Sequence, residues 1–238
     1  MNTEESLNPP GNTARPFTEI PPLWLRLGQM NVSFFSNELP HASASNTFFS
    51  VLVATGFAVM VAILSSLISG IRGFTHPPLG LSSAQALWTT TGMGIFLCCL
   101  EMTSVPLGFY FRNLVIFVLA LIFGGKGKYS VQAYLSSLYY VPLTLISGAL
   151  GFVAYLPFVG NFIVGLTVLG VLIFDFVLNI RLLKVAHNLS TGRAVGALLV
   201  PVVLILIPLC MIGVLTLMGP LIGSVFSSIN SQLGTPMP

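Results

Sequence analysis

IFDFVLNIRLLKVAHNLSTGRAVGALLVP, residues 173–201, is the stretch whose reading decides the fold. An apolar run ends in Arg181, Lys184 and His187, a short polar turn follows at 188–192, and Arg193 opens a second apolar run. This is the pattern of one membrane span ending, a basic loop, and the next span beginning, since Lys and Arg collect at the cytoplasmic ends of spans. The rest of the chain agrees. Of 238 residues, 55% are hydrophobic and only 6% are charged, with a mean hydropathy of +0.94. Soluble domains carry about a quarter charged residues, so most of this chain belongs in lipid. The net charge of +3 is too small to point to nucleic acid. Cys98, Cys99 and Cys210 lie in apolar runs with no His or Cys at a metal spacing, and read as small packing residues. Neither a metal nor a cofactor is expected.

Working outward, residues 158–183 and 195–221 are the spans on either side of the loop. Residues 132–156 form another, broken by Pro142 and carrying Tyr129, Tyr134, Tyr139 and Tyr140 toward its start. Residues 47–71 are uncharged and form the first span. The region 84–123 carries only Glu101 and Arg112, with Pro106 and Gly108 as interruptions. It reads either as one crossing at 101–123 preceded by a shallow or half-inserted helix at 84–100, or as two short crossings. Charge decides. With five crossings, Arg15, Arg26, Lys126, Lys128, Arg181, Lys184 and Arg193 share one side and Arg72 alone lies opposite. A sixth crossing would separate Arg15 and Arg26 from the others. The expectation is therefore an all-α polytopic membrane protein with five transmembrane helices, N-terminus cytosolic and C-terminus outside.

The termini and loops carry weaker signals. Residues 1–22 lack periodicity and an apolar leader segment, and read as a disordered tail. Residues 23–46 read as an amphipathic helix and linker. Leu23, Leu27, Met30 and Phe34 recur at helical spacing, which suits a helix in the headgroup layer anchored by Trp24, or one packed on the protein's own spans. The segments 73–83, with a solvated His76, and 155–161 are turns, and 222–238 is a frayed tail.

Charge inside a membrane needs a reason, because each such group costs about 2.5–3.5 kcal/mol at a helix centre. Three candidates stand out: Glu101, Arg112 and Asp175. Arg112 precedes the inner end of its span by roughly 16 Å, and Asp175 by roughly 12 Å, at 1.5 Å per residue. Both helices run outside to inside, so the two can pair. The alternatives are a proton or solute pathway, or snorkelling of each alone. Glu101 is expected near the outer surface, wetted there. Lys184 and His187 sit at a helix C-terminus, where cations suit the dipole and meet anionic headgroups. No Ser–His–acid set surrounds His187, and no catalytic residue is expected. Asn31-Val32-Ser33 and Asn188-Leu189-Ser190 match the glycosylation sequon but fall on the expected cytosolic side.

The basic loop also carries a motif. Lys184-x-x-His187-x-Leu189-Ser190-x-x-Arg193-Ala194 resembles the Lys-x-x-His-x-Leu-Ser-x-x-Lys-Ala signature of the Yip (Ypt-interacting protein) family, with Arg193 for the usual Lys. Gly124-Gly125-Lys126-Gly127 resembles the turn of that family's prokaryotic branch. Pro142 after aromatic residues, and Phe34, Phe35, Leu39 and Pro40 ahead of the first span, fit as well. The resemblance covers roughly residues 22–221. It implies a Yip-like five-span domain over 47–221 with a cytosolic N-terminus, in the cell membrane of a prokaryote. Eukaryotic members act in vesicle trafficking with Rab-type GTPases. Their Asp-Leu-Tyr-Gly-Pro motif is absent from residues 1–46, so GTPase binding is not expected here.

Three functions are weighed on this basis. The first is a non-enzymatic protein of membrane organisation or trafficking-like interaction, partnered by the bilayer and a membrane or cytosolic protein, or assembled as an oligomer. The second is a small transporter or channel-like protein using Glu101, Arg112 and Asp175. The third, a membrane-embedded enzyme, lacks a His-Glu-x-x-His, Gly-x-Ser-x-Gly or paired-aspartate motif.

Overall fold

The computed structural model describes residues 14–75, 80, 82–155 and 160–233, and every regular element among them is helical. Residues 1–13, His76 and positions 156–159 of the turn expected over 155–161 lie outside this set. Seven α-helices follow in order: α1 (Ile20–Trp24), α2 (Val32–Glu38), α3 (Ala44–Thr75), α4 (Ser83–Ile122), α5 (Tyr129–Gly151), α6 (Gly160–Ala186) and α7 (Thr191–Leu233). Five of them, α3 to α7, are long and apolar enough to cross a bilayer. The protein is an integral membrane protein built as a helical bundle. The chain divides into two units, Met1–Ala197 and Leu198–Pro238.

In the first unit, α3 and α4 form a long antiparallel hairpin, α5 packs against α3, and α6 packs against α5. Small residues allow close approach, as is common between membrane helices. A Cβ at Gly148 of α5 would lie 2.7 Å from the Phe57 ring of α3, and one at Gly94 of α4 would overlap Ser66. The best-buried span is α5, where Tyr134, Leu135, Leu138, Tyr139 and Val141 are all within 1% of complete burial. The second unit is the remainder of α7, containing Pro201, Pro208 and Pro220. Leu204, Ile205, Leu215 and Leu217 there are exposed, which suits contact with hydrocarbon.

Three sequence expectations change, and one, the placement of the amphipathic segment, narrows to one of its two alternatives. First, α4 is one helix of 40 residues, so neither a separate shallow helix at 84–100 nor a pair of short crossings is present. A capping box closes its start: Ser82 Oγ accepts from the Gln85 N–H, and Gln85 Oε1 accepts from the Ser82 N–H. Pro106 removes one backbone donor without ending the helix. Second, the tail expected over 1–22 is folded from Pro16 onward, with a 3₁₀ turn at Phe17–Glu19 running into α1. Arg15 donates to both carboxylate oxygens of Glu38, at 3.2 and 3.0 Å, and its carbonyl accepts from Asn46 Nδ2 at 2.8 Å. Third, the amphipathic segment packs on its own spans. Ile20, Met30 and Phe35 are fully buried, α1 meets α5, α2 meets α6, and Arg181 donates to the Met30 carbonyl at 2.9 Å. Trp24 is half-buried, its ring edge-on to Phe17 and its indole nitrogen buried without a partner among the described residues, while its neighbour Leu25 points outward at 90% exposure. Fourth, the frayed tail expected from 222 is helical to Leu233.

Candidate functional site

Two polar centres lie within the first unit, one at the ends of the spans and one inside them. The end centre begins where α4 stops. Gly124, at φ +90°, takes the left-handed position after the helix. The Gly124 N–H donates to Leu121 and the Gly125 N–H to Ala120, the paired bonds of a Schellman stop. The glycine turn is then held by the end of α6. The Lys126 N–H donates to the His187 carbonyl at 3.3 Å, and the Gly127 N–H donates to His187 Nδ1 at 3.3 Å. A Cβ at Gly125 would lie 2.7 Å from the Ala120 carbonyl oxygen and 2.9 Å from the His187 ring, and one at Gly127 would run into the Ala186 carbonyl. The two motif segments, sixty residues apart, thus form one closely built unit.

His187 is therefore not a cation facing headgroups; it is 1% exposed. Because Nδ1 accepts from Gly127, the ring proton sits on Nε2, which donates to Gln132 Oε1 at 2.7 Å. Gln132 Nε2 donates to the Asn113 carbonyl, and Ser136 Oγ donates to Asn113 Oδ1. The network reaches from the turn down into α4 and α5. Burial pushes the His187 imidazole below its ordinary value and keeps it neutral. Of the other motif residues, Leu189 and Ala194 are buried, Lys184 is half-buried, and Ser190 and Arg193 are exposed. Asn188 takes a left-handed φ of 53° just past α6, and the Ser190 carbonyl accepts from the Ala194 N–H as α7 begins. Pro142 lies buried within α5. Lys126, Lys128 and Arg193 form an exposed basic rim around this buried knot. The N-terminal segment is docked at the same end through Arg181.

The inner centre is built from α3 to α6. Arg112 Nη2 meets both oxygens of Asp175, at 2.9 and 2.6 Å, so the pairing allowed by their depths is present. Asp175 is steadied from behind: its carbonyl accepts from Asn179 Nδ2, and Asn179 Oδ1 accepts from the buried Tyr139 hydroxyl at 2.8 Å. The pair opens onto a cavity of about 360 Å³ that also touches Glu101, Tyr140 and Thr144. A second cavity of about 530 Å³, lined by Ser65, Ser66, Ser69 and Thr89, shares Glu101 with the first. Glu101 is part of both cavity walls, and its Oε2 is buried with no hydrogen-bond partner among the described residues. Sequence reasoning missed these hydroxyl walls and the Asn113–Gln132–Ser136 cluster. A signal existed, since Ser65, Ser66 and Ser69 recur at helical spacing.

Comparison of the chain with protein-family models, with curated proteins and with solved structures gives no match.

Proposed function

We propose that this protein is a non-enzymatic, Yip-like membrane protein that organises the bilayer or docks a protein partner at its basic end. The observation that carries the reading is the joining of the two motif segments through His187, with the basic rim and docked N-terminal segment around them. A rigid loop scaffold displaying Lys126, Lys128 and Arg193 suits recognition of an acidic protein surface or anionic headgroups. On the positive-inside rule that end faces the cytosol, with the N-terminus inside and the C-terminus outside. The setting proposed is the cell membrane of a prokaryote. The lack of the Asp-Leu-Tyr-Gly-Pro run gives no support to a GTPase partner.

The test is in-cell photo-crosslinking from positions 126 and 193, read by mass spectrometry. Capture of a defined membrane or cytosolic protein, or of a second copy of this chain, is the expected result. Labelling of bulk lipid alone at both positions refutes the docking reading. A second reading, a small transporter, is favoured by one observation: three ionisable side chains share a cavity wall within the spans.

A further inference from the structure

The inner cavities raise a question of charge that neither reading answers. Arg112 and Asp175 cancel each other, because Asp175 places both oxygens on one guanidinium nitrogen. Glu101 is left over. It lies eleven residues before Arg112 on α4, about three turns and roughly 16 Å of rise, on the same helix face. No ion pair joins them. The cavity wall therefore carries one uncompensated carboxylate. Glu101 is half-buried, with Oε2 buried and without a partner among the described residues, so a cation beside it is favoured.

The surroundings of Glu101 favour a cation with an apolar body. The first cavity, whose wall Glu101 shares, is lined by Phe57, Val61, Leu143 and Leu172, with Tyr140 as a second aromatic ring. A bare metal ion needs several oxygen ligands, and among the described residues Glu101 is the one carboxylate on this wall not already engaged. An organic ammonium needs a single counter-ion and gains from apolar and aromatic walls. A volume of about 360 Å³ is at the small end of ligand pockets, which run roughly 300–1,000 Å³. The second cavity, with its serine and threonine hydroxyls, offers a polar approach ending at the same carboxylate. Glu101 lies 21 residues from the α4 end at Ile122, or roughly 32 Å, about one hydrocarbon thickness. An ammonium seated there is at the headgroup level of the opposite face.

We propose that Glu101 is the counter-ion of a binding site for a small organic ammonium group, seated between the two cavities. The group belongs either to a soluble amine or to a lipid headgroup. The site stands apart from the docking reading, which concerns the other end of the spans, so either fails without the other.

The experiment uses the full chain in nanodiscs of phosphatidylglycerol, titrated calorimetrically with choline and with its uncharged isostere 3,3-dimethylbutan-1-ol. Choline is expected to bind at least tenfold more tightly than the alcohol. Glu101→Gln should bring the two to parity, and Ala58→Trp, which fills the cavity, should abolish both signals. Equal binding of choline and alcohol to the unaltered protein overturns the proposal, and so does unchanged choline affinity in the Glu101→Gln protein. The wild-type comparison decides the matter even if the variants fold poorly. Nanodiscs of phosphatidylcholine then separate the sources. Loss of the free-choline signal there identifies the headgroup as occupant, and its retention identifies a soluble amine.

Discussion

Acidification offers a sharp test of the knot at the span ends. His187 is buried and neutral, with Nδ1 accepting from Gly127 and Nε2 donating to Gln132. Protonation would put a second donor on Nδ1, opposite the Gly127 N–H, and so break the clamp on the glycine turn. Burial lowers the folded imidazole from its ordinary 6.5, so between that value and the lowered one the unfolded chain binds a proton that the folded chain refuses. Stability is therefore full above about pH 6.5 and declines as pH falls below it. One unit below that point the loss attributable to one such group is at most about 1.4 kcal/mol. For a chain of this size that is a fall in Tm of roughly 3–6 °C. The assay is thermal unfolding in one detergent at pH 7.5, 6.5 and 5.5, for the wild type and for His187→Gln, which keeps a donor and an acceptor but does not titrate. The difference in Tm between the two proteins should shift against the wild type on acidification. Parallel pH curves would refute the reasoning, as would a wild type that gains on the variant at pH 5.5.

Two other predictions concern backbone fit and buried charge. Gly127→Ala should destabilise by about 2 kcal/mol or more, because the added methyl meets the Ala186 carbonyl, while Gly28→Ala, in open space, should stay within about 0.5 kcal/mol; both are read from detergent melting curves. Arg112→Leu and Asp175→Leu should each cost about 3 kcal/mol, and the double variant should recover most of that loss, giving a coupling energy above about 1 kcal/mol in the cycle; additive losses would show that the pair is not energetically joined.

The spans were legible because hydrocarbon imposes a demand that composition must meet everywhere. The Arg112–Asp175 pair was legible for a related reason: with the rise per residue fixed, depth can be counted from the basic loop. The continuity of α4 was not legible. Pro106 removes one hydrogen bond in forty residues, and nothing in the sequence tells whether the helix resumes. The N-terminal fold was hidden because its pieces are too short to show a period. A 3₁₀ turn, a five-residue helix and another 3₁₀ turn at Leu27–Gln29 hold Ile20 and Met30 inside through contacts with distant helices. His187 shows the same limit at the site. Its spacing to Leu189 and Arg193 identified a motif, but whether a histidine at a helix end faces water or a glycine turn depends on where another segment passes. Glu101 needed the two cavities whose walls it shares, which are properties of four packed helices.

The bond from Arg181 to the Met30 carbonyl sets an order on biosynthesis. Met30 and Phe35 are made early, yet the surface that buries them belongs partly to α6, and Arg181 follows Met30 by 151 residues. At about 5–20 residues per second the ribosome needs roughly 8–30 s to bridge that interval. Until then Met30 and Phe35 lack the part of their burial that α6 supplies, so the bilayer surface is a natural resting place for that apolar stretch. The headgroup-layer placement, one of the two that the sequence allowed, thus suits the nascent chain, and docking on α6 then closes that end of the spans.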